Sequence, residues 1–243
     1  NLLPRDSFPI TPGQSLNSFE VALKLRFAYL EQFFEGDYFR YSLGTKYPIV
    51  EFMVTKSIPG VLKSAYDYTK LTASIKDRVK ISPLGTLSYK VYAGQVFGTL
   101  PFPFLEVHPG NDIYYYSKST FNLMNRFEYL SDKYAGVNIE HNIGSGIFRF
   151  TPLTRKLKWR QFWNIKTVWG SISSENRVLN NRKINDTAYA FKYLNGGNYT
   201  EIGTGIDNIF RVFRLDFVWR FNPDASLPRS SRFGIFGSFQ FQF

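Results

Sequence analysis

"SFEVALKLRFAY", residues 18–29, decides how the chain is read. Phe19, Val21, Leu23, Leu25, Phe27 and Tyr29 fall on one side of an extended backbone. Glu20, Ala22, Lys24, Arg26 and Ala28 fall on the other. Successive side chains of a strand point to opposite faces, so a period of two is a strand signature. A strand of ~10 residues is long enough to cross a bilayer at a tilt, whereas soluble sheets favour strands of about 5–6. One face here is apolar throughout, and the other carries Glu20, Lys24 and Arg26.

The pattern repeats along the chain. "KLTASIKDRVKI" (70–81) sets Leu71, Ala73, Ile75, Val79 and Ile81 against Lys70, Thr72, Ser74, Lys76, Arg78 and Lys80. "TLSYKVYAG" (86–94), "FNLMNRFEYL" (121–130), "AGVNIEHNI" (135–143), "QFWNIKTVWG" (161–170) and "RLDFVWRF" (214–221) alternate in the same way. Adding weaker runs near 48–57 and 199–207 and the closing "GIFGSFQFQF" (234–243), about ten strands are expected. No segment has a convincing helical period. Two connections are long: an aromatic, Pro-rich one at 95–119 and an Asn-rich one at 171–198.

The composition fits this reading. Aromatic residues make up 19% of 243 residues, while mean hydropathy is −0.23. A soluble core leans on Leu, Val, Ile and Ala rather than on rings spaced by polar residues. No cysteine is present, which excludes disulfide scaffolds, Cys-based zinc sites and thiol catalysis. The formal charge is +11, but the basic residues are dispersed and no nucleic-acid motif accompanies them, so nucleic acid is not an expected partner. No stretch approaches the ~20 apolar residues of a membrane helix. The opening "NLLPRDSFPI" reads as the interior of a longer protein.

The fold class expected is therefore all-β: a transmembrane antiparallel β-barrel. Residues 1–243 form one domain, the C-terminal portion of a larger barrel. Mid-strand charges of both signs suit a hydrated lumen and are expensive in a dry core. Glu20, Lys24, Arg26, Lys70, Lys76, Arg78, Arg126, Glu128, Glu140, Lys166, Arg214, Asp216 and Arg220 are expected to line that lumen. Closure follows from physics, because hydrocarbon leaves no water to satisfy a free sheet edge. With a periplasmic C-terminus, 171–198 and 222–232 lie outside the cell. By the same parity 95–119 lies on the periplasmic side or folds into the lumen.

Candidate chemistry is sparse. His108 in "LEVHPGND" and His141 in "IEHNI" lack metal-ligand spacing. They are expected to pack in a loop and at a membrane interface respectively, with no metal, cofactor or catalytic role. "GSG" at 144–146 is too short for a phosphate loop. The lumenal charges are expected chiefly to pair across strands. The basic cluster at 228–232 would meet lipopolysaccharide, and the one at 154–160 the inner leaflet.

Three stretches carry a family resemblance: "GTLPFPFLEVHPGND" (98–112), "FNLMNRFEYLSDKYAGVNIEHNIGSGIFRFTPLTRKLKWRQFW" (121–163) and "FGIFGSFQFQF" (233–243). They resemble a Bacteroidota-type outer-membrane β-barrel family of unassigned function. The resemblance implies an upstream carboxypeptidase-regulatory-like sandwich and a barrel distantly similar to the Omp85 surface-antigen superfamily. "GTGIDNIFRVFRLDFVWRFN" (203–222) is similar to the penultimate hairpin of such barrels. The Arg-Gly-aromatic motif of the insertases in that superfamily does not occur in this chain.

The function expected is a non-enzymatic structural or accessory role in the Gram-negative outer membrane. The partners are lipid, lipopolysaccharide, the barrel-insertion machinery and other envelope proteins. Two alternatives stand beside it: an anion- or solute-conducting pore, and a soluble basic β-protein that binds polyanions or glycans. Phe239, Phe241 and Phe243 resemble a C-terminal assembly signal. The Gly that usually lies five residues before the last aromatic is replaced by Ser238, with Gly237 one place earlier.

Overall fold

The computed structural model describes residues 16–150, 152–180, 191–222 and 229–239. Its strands are β1 (Glu20–Ala28), β2 (Gln32–Glu35), β3 (Arg40–Gly44), β4 (Ile49–Ser57), β5 (Tyr68–Lys80), β6 (Thr86–Phe97), β7 (Glu106–Val107), β8 (Leu130–Ser131), β9 (Lys133–Gly144), β10 (Arg160–Ser171), β11 (Asn198–Ile209), β12 (Phe213–Asn222) and β13 (Phe233–Phe239). Three short helices join them: α1 (Pro152–Leu157), α2 (Ser174–Asn180) and α3 (Arg229–Arg232). Nine strands form one antiparallel sheet in the order β1-β4-β5-β6-β9-β10-β11-β12-β13. None of the described helices is long and apolar enough to cross a membrane.

The period of two reads through into burial. In β12, Arg214, Asp216, Val218 and Arg220 are buried, while Phe213, Leu215, Phe217, Trp219 and Phe221 point the other way. In β10, Phe162, Asn164, Lys166 and Val168 are buried, and Trp163, Ile165 and Trp169 face out. The polar face is thus the inner face of the sheet. The apolar face is the outer one, with Phe27 at 64% and Phe221 at 67% exposure.

The sheet curls strongly. Arg214 on β12 meets Glu140 on β9 at 2.8 Å, although β10 and β11 lie between them. In a flat sheet at ~4.8 Å per strand those two strands would stand about 14 Å apart. Glycines on the inner face of β11 permit the approach. A Cβ at Gly205 would lie 2.0 Å from the Leu215 carbonyl oxygen and 2.6 Å from the Phe162 ring. A Cβ at Gly203 would lie 2.7 Å from Asn164. The terminal strands β1 and β13 do not pair with each other, so the described sheet is open rather than a closed barrel.

One expected strand is absent. Residues 121–129 are not a strand of the sheet; they belong to an inner segment, 98–132, that leaves β6, folds against the inner face and returns into β9. Its buried apolar residues face the sheet. Phe121, Met124 and Tyr129 are buried against Tyr134, Val168 and Tyr199, and Leu100, Phe102, Leu105 and Leu130 against Tyr68, Val96 and Phe191. The core of the protein is this layer between sheet and inner segment. α2 clamps the segment's entry: Asn176 accepts the Leu100 N–H at 2.7 Å and donates to the Gly98 carbonyl at 3.0 Å.

Losing that strand changes the parity of the connections. Both ends of the inner segment emerge where 172–197 and 223–232 connect, at the end opposite the 210–212 turn. Of the two placements expected for 95–119, the fold into the interior is the one observed. The turn between β11 and β12 places Phe210 and Arg211 at positive φ. The hairpin β2–β3 is an additional two-stranded sheet that extends beyond β1 and β4. Of the basic cluster at 228–232, Pro228 lies outside the described residues and the rest forms α3.

Candidate functional site

The inner face has two halves. The first, over β9–β13, is filled by the inner segment and holds a nearly continuous network of charges. Arg214, 1% exposed, donates to both oxygens of Asp216 at 2.9 and 2.7 Å and reaches Glu140. Its guanidinium lies 3.6 Å from the centre of the Phe162 ring and 4.8 Å from that of Tyr116. Glu140 also takes Lys118 of the inner segment at 3.0 Å. Arg220 donates to Glu128 at 2.9 Å and to the Tyr129 hydroxyl at 3.0 Å. Lys192 pairs with the same Glu128.

Backbone groups of the inner segment are held by strand side chains. The Glu201 carboxylate accepts the N–H of Asn122 at 2.8 Å and of Leu123 at 2.7 Å, and the Tyr199 hydroxyl at 2.7 Å. The Lys166 ammonium donates to the carbonyls of Ser117 and Thr120, both at 2.7 Å. Residues 114–116 reach β13 itself. Tyr115 forms a parallel bridge with Gly237, and the Tyr116 N–H donates to the Gly237 carbonyl at 3.1 Å. A loop buried against a sheet must satisfy its backbone in this way.

The second half, over β1, β4, β5 and β6, is open and predominantly cationic. Lys24, Arg26 and Lys76 converge on Glu51 at 3.4, 3.5 and 3.8 Å. Arg26 also pairs with Glu31, and Lys70 with Glu106 of the inner segment at 3.0 Å. The Tyr68 hydroxyl donates to Glu20.

Eleven of the expected lumen-lining residues, Glu20, Lys24, Arg26, Lys70, Lys76, Arg78, Glu140, Lys166, Arg214, Asp216 and Arg220, sit on strands at inner-face positions. Arg126 and Glu128 do not. They were expected on a wall strand, but the inner segment carries both: Glu128 is buried on Arg220, and Arg126 lies beside Asp112. Sequence reasoning missed Glu201 and Lys192, because neither lies in a run whose alternation was read in detail. Phe239 is exposed and packs edge-on against Phe213. Phe241 and Phe243 lie outside the described residues.

The histidines are far apart in role. His141 faces outward against the edge of Trp163, with Nε2 at 2.8 Å from the Leu84 carbonyl. His108 is buried, with Nε2 2.9 Å from the Ser131 hydroxyl. Ser131 is itself fully buried. Among the described residues no cluster of His, Asp and Glu is arranged to hold a metal ion.

Burial pushes the His108 pKa from its ordinary 6.5 down to about 4, with Glu106 opposing that shift. The unfolded chain therefore takes up a proton before the folded one does. Stability is fully present above pH 6.5 and falls as pH drops toward about 4, a loss of about 3 kcal/mol at the acid limit. We expect the urea midpoint of the purified protein to fall across this window, and the His108→Gln variant to lack most of that fall. An equal slope in the variant would remove His108 as the cause.

No curated protein and no solved structure matches the chain. A family match does cover most of it, including β1, β4–β6, β9, β10 and the whole inner segment, and ends before β11–β13. Since residues 4–173 match the C-terminal domain of a family of unknown function, DUF5686, the chain belongs to that family.

Proposed function

We propose that this chain is the membrane-spanning portion of a Gram-negative outer-membrane β-barrel, of Bacteroidota type and distantly similar to the Omp85 surface antigens. In this reading it acts without chemistry, as a structural or accessory component of the envelope. The observation that carries the proposal is the outer face. Leu23, Leu25, Phe27, Phe52, Trp219 and Ile235 are between 39% and 64% exposed, while the charges lie on the opposite face of the sheet, buried outright on β12. A soluble protein does the reverse, since large contiguous apolar patches on water favour association. Lipid as the outer solvent resolves the inversion.

The free edge of β1 supports a larger barrel, with further strands completing the wall between β1 and β13. The filled half of the lumen favours a scaffold over a wide pore. The C-terminus faces the periplasm in this arrangement. The strand ends at Ser171, Asn198, Asn222 and Phe233 face outward toward lipopolysaccharide, and β13, with the Phe241 and Phe243 that follow it in sequence, is read by the insertion machinery. Envelope proteins are the docking partners.

The test is extraction of native membranes with alkaline carbonate. The protein is expected to stay in the pellet and to leave it only with detergent. Release by carbonate alone would overturn the membrane reading and favour the soluble polyanion- or glycan-binding alternative.

A further inference from the structure

The open half of the inner face holds a cavity of about 310 Å³ between β1, β4, β5, β6, β9 and the inner segment. Lys24, Lys90, Thr72, Ser74, Ser119 and Asn138 stand on its wall. Its wall carries Lys24 and Lys90 together with Glu51 and Glu106, and Arg26, Lys70 and Lys76 pair with those carboxylates from outside the wall. The Glu51 carboxylate is shared among Lys24, Arg26 and Lys76, and Glu106 is matched by Lys70. Lys90 forms no ion pair among the described residues; its ammonium stands 5.5 Å from the centre of the Tyr92 ring. Even after Glu31 is counted against Arg26, cations exceed carboxylates.

A second feature points the same way. The Asn138 side-chain oxygen is buried on this wall and has no hydrogen-bond partner. That oxygen is the buried end, so the N–H₂ of the same amide is the end left to donate to a ligand's acceptor. Thr72, Ser74 and Ser119 hydroxyls add rotatable donors. Ammonium groups for charge, with neutral donors for geometry, are what an oxyanion needs.

We propose that this cavity binds a small polyanionic solute through phosphate-type oxyanion groups, with Lys24 and Lys90 as its charged anchors. In the filled half the charges are consumed by internal contacts, whereas in this half Lys90 is left without a carboxylate beside the paired Lys24. The site is wet, since Lys24 remains half exposed, so binding weakens as salt is raised.

The test uses the full chain purified in detergent and inorganic pyrophosphate as the probe, measured by titration calorimetry at low salt. One site per chain is expected. Lys90→Gln and Lys24→Gln should each weaken binding about tenfold, one lost charge-assisted contact being worth about 1.4 kcal/mol. Lys90→Arg should retain binding. Lys156→Gln, on α1, serves as the control for diffuse attraction by the basic protein. The proposal fails if the wild type gives no saturable binding, if Lys90→Gln and Lys24→Gln bind like the wild type, or if Lys156→Gln loses as much as they do. Far-UV circular dichroism of each variant confirms that the strands are intact. Binding to the purified chain is independent of carbonate extraction, so failure here leaves the membrane reading standing, and the reverse holds too.

Discussion

Arg214→Leu is expected to cost about 3–5 kcal/mol and to leave little folded protein, because removing one member of a buried charge group strands the others. Asp216 is fully buried and receives both of its close cationic hydrogen bonds from Arg214. Glu140 would keep Lys118 but lose Arg214. The guanidinium also fills the space between the Phe162 and Tyr116 rings, so the substitution removes packing as well as charge. The readout is the fraction of chain that resists unfolding in dodecyl sulfate without heating. A second variant, Arg214→Leu with Asp216→Leu, removes the stranded carboxylate and should recover part of the loss. If the single variant unfolds within about 1 kcal/mol of the wild type, the network is decoration on an already stable wall.

Glu201→Leu is expected to loosen the inner segment while leaving the sheet in place. Glu201 accepts the backbone N–H groups of Asn122 and Leu123 and the Tyr199 hydroxyl, and leucine offers them no acceptor. Each buried donor left unsatisfied costs about 1–3 kcal/mol. Limited trypsin digestion should then cut at Lys118 or Arg126 well before it cuts the strands, while the circular dichroism of the sheet persists. Cleavage at the wild-type rate would show that Lys166 and the apolar contacts suffice to hold the segment.

The strands were legible because the physics that sets them is local. A face apolar at every second residue, as in Val21, Leu23, Leu25 and Phe27, has one extended solution. Inner and outer positions of β5, β6, β9, β10 and β12 follow the same rule and came out as read. "FNLMNRFEYL" shows where that rule stops. Phe121, Leu123 and Tyr129 alternate with polar residues, yet the segment is buried on several sides by tertiary contacts that its own sequence does not encode. Its backbone partners, Glu201 and Lys192, lie far along the chain, so no window of neighbouring residues contains the information. A signal was present in the Pro-rich run 101–109, which cannot feed a ladder of N–H donors.

The β2–β3 hairpin was missed for a different reason. Its strands are short, and Phe33 and Phe34 are adjacent rather than alternating, so period two is masked. The candidate charges were found where strands carried them and misplaced at Arg126 and Glu128, where the strand itself was misread. Connectivity of the network was not legible at all. That Arg214 meets Glu140 depends on the curl of the sheet and on the missing side chains at Gly203 and Gly205.

The seating of residues 114–116 on β13 sets an order of events in time. Tyr115 and the Phe239 carbonyl that it reaches are 124 positions apart, so the segment is synthesised long before the strand that holds it. Contacts between distant parts of a chain form slowly, because a long loop must be closed before they reward it. The inner segment must therefore wait, unpaired and rich in tyrosine, until β9–β13 have assembled into a wall. The interior is furnished last, and the final strand is what locks it.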